Sequence, residues 1–316
     1  MIHTDFSPGL IRDLAGLIEE AEYVLIGAGA GLSADAGYDY LESVKFLKRY
    51  PYLKDIGVHC RYHSIGFVWP TKSMEWAFYA RQLEEDLYGP PPHPEPYVQL
   101  RRLTDHANRW VFTSNADDLF SRLGFDPERT WTVQGTFANL QCQRPCCEEV
   151  WDSRPYIERL LPCVDLKTGE LKDRSAVPVC PHCGGDMILN VRGGSWFVEK
   201  PYKRQRAAFN EWLKRAAAGR LVVIEIGAGF NTPSVIRWPC EVITARHHNA
   251  HLIRINPHHP KTQFSVGERA TSIAMRASPV LSVLSKPAQR TMKLSSARAG
   301  SELCSKNGEK DVTQGL

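Results

Sequence analysis

The chain has 316 residues, with 39 Lys and Arg against 35 Asp and Glu, a formal charge of +4. Six basic and three acidic residues fall at 286–316, so 1–285 carries only +1, which argues against the concentrated basic face of a nucleic-acid binder. A hydrophobic content of 43% rules out disorder of the whole chain, and no run reaches the roughly 18–20 apolar residues of a membrane helix. The N-terminus MIHTDFSPGL lacks the basic start and apolar stretch of a secretory signal. The expectation is a soluble, cytoplasmic protein.

Residues 9–21 space Leu10, Ile11, Leu14, Leu17 and Ile18 at helical intervals. Next comes Tyr23-Val24-Leu25-Ile26, a short apolar run feeding a glycine-rich turn, which reads as a buried strand. Similar runs recur at 109–113, 130–134, 221–226 and 251–255, with helical patterns between them at 73–87 and 204–218. Such alternation predicts an α/β fold, a Rossmann-like parallel sheet with helices on both faces. Residues 38–70 are rich in aromatics without strand or helix repetition, and read as a small packed module or a lid. PPPHPEP at 90–96 reads as a turn or linker, and the Ser/Lys/Ala/Gly-rich 285–316 as a disordered tail. There are no internal repeats.

The turn Gly27-Ala28-Gly29-Ala30-Gly31-Leu32-Ser33 follows the first apolar strand directly. Glycines there let a phosphate approach the backbone, which favours a nucleotide site, with Gly27, Ala28, Gly29, Gly31 and Ser33 as candidate contacts. The same glycines also suit a tight strand–helix corner. An acidic ribose ligand after a second strand is missing, so an ordinary dehydrogenase is disfavoured.

Five of the nine cysteines cluster in two places, which without a secretory signal reads as metal binding. Cys142-x3-Cys146 and Cys180-x2-Cys183, separated by 33 residues, offer four thiolates for a tetrahedral structural zinc. Cys147 competes with Cys146 for the same place. The segment 138–192 is therefore the expected zinc-binding module, inserted between 1–137 and 193–280. Those two stretches form the expected dinucleotide-binding unit, with a helical and aromatic part within 38–105. The histidine pairs His247-His248 and His258-His259 lack the spacing of a metal site and read as solvated loop residues.

In order along the chain stand GAGAGLSADAG, Thr113-Ser114-Asn115-Ala116-Asp117, Gln134-Gly135, the cysteine pairs, Ile226-Gly227-Ala228-Gly229-Phe230-Asn231 and Ile255-Asn256. Taken together over residues 8–265, that order resembles the sirtuins, NAD-dependent enzymes with a Rossmann-like domain and a zinc-bearing small domain. The resemblance implies NAD+ as co-substrate and Zn2+ as a structural ion. It implies cofactor contacts from Ser114, Asn115, Asp117, Gln134, Gly227, Ala228, Gly229, Asn231 and Asn256. Within it, Asp117 would accept a hydrogen bond from the nicotinamide amide, and Asn115 would hold the ribose hydroxyls or a water. Taken alone, the Asn115–Asp117 stretch also reads as a capping loop.

Two departures from the family pattern bear on the reaction. Deacylating sirtuins carry G-A-G-x-S-x-x-S-G-I-P-D-F-R in the first motif, where this chain has Gly37-Tyr38-Asp39-Tyr40 in place of the stretch ending in arginine. They also carry a catalytic His-Gly pair, where this chain has Gln134-Gly135. The glutamine, with Gly229-Phe230-Asn231-Thr232-Pro233, is similar to the macrodomain-linked (class M) sirtuins, protein ADP-ribosyltransferases that act on lipoyl-type carrier proteins. Glutamine has no titratable group and cannot be the base of a deacylation, a role worth roughly 10²–10⁴-fold. Transfer of ADP-ribose to an ionised Asp or Glu needs no base.

The expected function is thus an NAD-dependent protein ADP-ribosyltransferase with Asn115, Asp117, Gln134 and Arg192 as its catalytic set. Arg192 follows the second cysteine pair and either holds a phosphate or acceptor carboxylate or is simply an exposed loop arginine. The expected partners are an acceptor protein of the lipoyl-carrier type and a macrodomain protein in trans, with no nucleic acid and no membrane. An NAD-dependent deacylase and a catalytically silent NAD- or ADP-ribose-binding module are the alternatives.

Overall fold

The computed structural model describes residues 2–262 and 266–286; most of the tail expected at 285–316 lies outside the described residues. Among the described residues ten strands are formed: β1 (Ile2–His3), β2 (Tyr23–Ala28), β3 (Asn108–Thr113), β4 (Thr130–Thr132), β5 (Gly135–Cys142), β6 (Trp151–Asp152), β7 (Met187–Val191), β8 (Leu221–Ile226), β9 (Ala250–Ile255) and β10 (Ala270–Ile273). Seven of them make one parallel sheet in the order β1-β10-β9-β8-β2-β3-β4, and β6-β5-β7 make a small antiparallel sheet. The chain leaves β2 toward β3 and β4, then returns to lay β8 on the other side of β2. The order therefore reverses between β2 and β8, where open α/β sheets hold ligands beyond the carboxyl ends of their strands.

The apolar strands are buried on both sides, and their residues alternate between two cores. Val24, Ile26, Val222, Ile224 and Ile253 face the helices Pro8–Glu19, Glu95–Thr104 and Ala277–Leu284. Leu25, Trp110, Phe112, Val223 and Leu252 face Phe209 and Trp212 of the helix Lys200–Ala216 and Ile243 of Arg237–Arg246. In the first helix Leu10, Leu14 and Ile18 are the buried residues at the expected spacing, each worth about 1.5–3 kcal/mol of burial. Ser7 caps it by accepting the Leu10 N–H.

The aromatic segment is a packed module. Phe46 and Tyr50 close on Phe78 with ring centroids 6.1 and 5.3 Å apart, and Leu53 and Val58 complete that core. Helix Lys72–Leu83 carries Phe78 into this core and sets Trp76, Ala80 and Leu83 against Leu140, Ile157, Leu160 and Met187 of the cysteine-bearing region. The helix expected at 73–87 ends at Leu83 and runs on as a single π turn, Glu84–Tyr88. In the proline run, Pro94 sits at the N-cap of Glu95–Thr104 and Pro96 lies in its first turn, where a missing N–H costs nothing.

Candidate active site

Loops from four strands meet beyond the sheet. After β2, the Gly29 N–H donates to Ile226 O (2.9 Å) and the Gly31 N–H to Gly227 O (3.1 Å). A Cβ on Gly31 would lie 2.7 Å from Gly227 Cα, and one on Gly29 2.8 Å from Gly227 O, so two backbones pass with no room for a side chain. Gly27 faces helix Arg237–Arg246, where a Cβ would lie 2.4 Å from Cys240 Sγ. Packing alone thus requires all three glycines, and two of the turn's N–H groups are already spent on the β8 loop. The corner reading of this turn is realised in the fold.

After β3 the chain turns down onto this corner. Asn115 Nδ2 donates to Gly29 O (3.1 Å), and the Asn115 N–H is held by Thr113 Oγ1 (3.0 Å). Asp117 is buried, accepting from Ser33 Oγ (2.5 Å) and from the Leu119 N–H (3.1 Å). Burial pushes its carboxyl up, against the pull of those two donors. Ser33 also meets the Tyr97 hydroxyl at 3.4 Å, and burial beside Asp117 holds Tyr97 far above its ordinary range.

The turn between β4 and β5 runs alongside. The Val133 N–H donates to Thr113 O (2.9 Å) and the Phe137 N–H to Ala116 O (2.9 Å), so the turn that carries Gln134 runs along the loop that carries Asn115. The strand expected over 130–134 stops at Thr132, and Gln134 stands in the turn, its Oε1 buried without a protein partner. Gly135 has φ +83°, and a Cβ there would lie 2.1 Å from Asn190 O. The Arg192 N–H donates to Gln134 O (2.9 Å), so Arg192 reaches the same place by its backbone. Its guanidinium lies over Phe197, 4.3 Å from the centroid, and pairs with Glu199 at 2.9 Å.

From β8 and β9, Asn256 Nδ2 donates to Ala228 O (2.9 Å) while its Oδ1 takes the N–H groups of His258 and His259. Asn256 is thereby a loop organiser, and those histidines belong to its turn. Asn231 is exposed at the rim, beyond Gly229. Ser114 continues the β2–β3 ladder, its N–H donating to Ala28 O (3.1 Å).

A charged network underlies this corner. Glu225 and Arg254 stand opposite each other in β8 and β9 with Arg254 Nε 2.7 Å from Glu225 Oε2, and Arg254 Nη1 is 2.6 Å from Glu241 Oε1. Arg237 faces Glu225 at 3.8 Å and donates to Ala228 O (3.2 Å); all four side chains are buried. The sequence signal was available: one charge of each sign inside the apolar runs LVVIEI and HLIRI. A second group was also missed. Asp86 of the π turn pairs with Arg61 at 2.8 Å, is raised to about 6 by burial, and lies near Tyr40 and Asp117. Arg122 ties that turn to the β3 loop by donating to Asp86 O (2.7 Å).

In the small sheet, β5–β7 pairing sets Cys142 opposite Met187, so the two cysteine turns face each other. The sulfurs of Cys142 and Cys183 are 3.7 Å apart, those of Cys146 and Cys180 3.6 Å, and all four lie within 4.8 Å. Zn–S bonds of about 2.3 Å give tetrahedron edges of about 3.8 Å, so the four thiols fit zinc. Cys146 completes this set and Cys147 stands with Glu149 and His182. The four histidines of the two pairs join neither group.

No protein-family model matches the chain. It is 35% identical over 235 residues to a probable bifunctional ADP-ribose hydrolase/ADP-ribosyltransferase of Fusarium oxysporum f. sp. cubense, covering 72% of this chain and 39% of that protein. The chain thus spans about two fifths of the fungal protein's length. Over 258 residues it is 25% identical to a protein ADP-ribosyltransferase of Staphylococcus aureus, with 80% of this chain and 79% of that protein covered. Among solved structures, a Sir2 homolog in complex with NAD superposes with a TM-score of 0.58 at 16% identity, covering 92% of this chain and 96% of that one. By its fold, the order of its site motifs and its relatives, the chain belongs to the sirtuin family.

Proposed function

We propose that this protein is an NAD-dependent protein ADP-ribosyltransferase, cleaving NAD+ to nicotinamide and passing ADP-ribose to a side chain of an acceptor protein. The observation that carries this is Gln134, in a turn bonded on both sides to the Thr113–Ala116 loop, with its Oε1 buried and unpartnered. A buried acceptor left unmade costs about 1–3 kcal/mol, so a hydroxyl donor from a bound ligand relieves a standing penalty. Gln134 orients such a hydroxyl but cannot deprotonate it, and a deacylase needs that deprotonation. The names of the fungal and staphylococcal relatives support the same reaction.

In this reading the co-substrate supplies a glycosidic bond to a neutral leaving group, and the protein binds and orients it. Asp117, its oxygens already held by Ser33 and Leu119, keeps spare lone pairs for the nicotinamide amide. Asn115 and Gln134 address the ribose, and the loops at Gly29–Gly31 and Gly227–Asn231 line the remaining length of the cofactor. Arg192 takes the acceptor carboxylate. We assign 1–137 with 193–280 to the cofactor-binding unit and 138–192 to the zinc module.

The acceptor is proposed to be a lipoyl-type carrier protein, and a macrodomain protein in trans the partner; position 134 and the 229–233 run support that branch. A cytoplasmic site of action belongs to the same proposal. Among the described residues no helix is long and apolar enough to cross a membrane.

The test uses NAD+ labelled on its adenylate, incubated with the protein and an extract of its own organism. Wild type is expected to label a discrete protein band, and Asn115→Ala to label none. Consumption of an acetyl-lysine peptide without label transfer would overturn the reading in favour of a deacylase.

A further inference from the structure

We propose a second divalent-metal site beside the four-cysteine cluster, built from Cys147, His182 and Glu149 and open at its fourth position. The donor atoms of these three residues lie within 4.8 Å of one another, and they form the one such group besides the four cysteines among the described residues. His182 Nε2 and Glu149 Oε2 are hydrogen-bonded at 2.8 Å, and parting by about 0.5 Å to the roughly 3.3 Å edge that Zn–N and Zn–O bonds of about 2.0 Å set in a tetrahedron would let an ion replace the shared proton. Thiolate, imidazole and carboxylate together make a zinc-class donor set.

The chain order explains how the donors are brought together. Cys147 follows Cys146, and His182 lies between Cys180 and Cys183, so closing the four-cysteine site draws the three donors into place. The Cys146 and Cys147 sulfurs are 4.0 Å apart, which makes the two sites neighbours that share no ligand. Trp151 flanks the imidazole, with ring centroids 5.9 Å apart.

The two sites differ in how deeply they are anchored. In the four-cysteine site Cys142 and Cys180 are buried and Cys146 and Cys183 exposed, whereas in the second site His182 and Glu149 are exposed and Cys147 is half-buried, so it has no fully buried ligand. Three protein ligands at the surface leave a position for water or an outside ligand, as in open rather than closed zinc sites.

Zinc alone is the probe. The full chain, purified with its tight zinc, is dialysed to equilibrium against rising zinc concentrations, and bound metal is counted by mass spectrometry. Wild type is expected to reach two equivalents per chain, the second removable by a weak chelator. Cys147→Ser and His182→Ala are each expected to stop at one equivalent with the melting temperature of the one-zinc protein unchanged. In Co2+-loaded protein, the second equivalent adds a sulfur-to-metal absorption that Cys147→Ser abolishes. Saturation of wild type at one equivalent would overturn the proposal. So would two equivalents retained by both variants, which would place the second ion elsewhere.

Discussion

Replacing Arg254 by Met tests the buried network beneath the cofactor corner. Arg254 has no exposed surface and bonds Glu225 at 2.7 Å, Glu241 at 2.6 Å and the Lys261 carbonyl at 2.7 Å. Methionine fills much of the space but takes the guanidinium away from both Glu225 and Glu241. Breaking a buried ion pair by removing one partner costs about 3–5 kcal/mol, and loss of the guanidinium from two buried carboxylates places this case toward the upper end. At roughly 2–4 °C per kcal/mol for a chain of this size, the melting temperature should fall by about 10 °C or more. The pH dependence carries the sharper test. Burial raises the Glu225 carboxyl above its usual 4.5 even with Arg254 beside it, and removing Arg254 raises it further. A raised folded pKa means the folded state holds a proton that the unfolded state releases. Stability from that group is therefore complete below about 4.5 and is lost as pH rises through the folded value. Urea unfolding followed by tryptophan fluorescence at pH 5, 6, 7 and 8 should show a deficit that is largest at pH 7–8 and narrows toward pH 5. A deficit under about 1 kcal/mol, or one independent of pH, would refute the picture of a dry, mutually dependent network.

Gln134→Ala should hold or raise the melting temperature, because it removes a buried Oε1 that bonds nothing in the protein, and should lower ADP-ribose transfer roughly 10–100-fold, the worth of about 1.5–3 kcal/mol. Asp117→Asn should abolish most nicotinamide release measured from NAD+, yet hold or raise stability at pH 7, since burial already disfavours the charged carboxylate there. Gly31→Ala puts a Cβ 2.7 Å from Gly227 Cα with backbone on both sides, so calorimetry should show a loss of about 1–3 kcal/mol together with weakened NAD+ binding. Stripping metal from the four cysteines with a strong chelator should remove amide-exchange protection over 135–191 and over helix Lys72–Leu83, which shares that core, while β8 stays protected.

The strands that the sequence revealed are those buried on both faces. The apolar runs at 109–113 and 221–226 are strands because parallel strands under two helix layers need no polar face. The two strands at the β1 end of the sheet carry no such mark: Ala270–Ile273, second from that edge, reads ATSI, too short and mixed to signal a strand, and the edge strand Ile2–His3 has two residues. In WTVQ the period-2 pattern runs straight through Thr132, and only Gly135, with its positive φ, marks where the chain leaves the sheet. Helix Arg237–Arg246 escaped notice because Pro239 breaks its pattern near the start, where proline is tolerated. At the site, the polar residues near the glycine turn were legible as motifs. Asp86, Arg61 and Arg122 were not, because the π turn and the β3 loop meet only in the folded chain.

The small sheet is joined to the large one at two necks, and the two residues proposed to set the reaction sit one in each. Gln134 leads into β5 and Arg192 leaves β7, with the Arg192 N–H bonded to the Gln134 carbonyl. A metal ion holding the far ends of β5 and β7 together therefore steadies the near ends too, where Gly135 pairs with Val191 and the Arg192 N–H meets the Gln134 carbonyl. The side chain of Arg192 is then the movable part. Its pair with Glu199 lies at the surface, with both side chains well exposed, and such a pair is worth about 0–1 kcal/mol. A bidentate carboxylate on an acceptor protein would outcompete it at little cost. In the proposed role Arg192 would need no rearrangement of the fold to meet an acceptor, whereas Gln134 stands next to strand pairing and a glycine, Gly135, whose positive φ and contact with Asn190 O leave no room for a side chain.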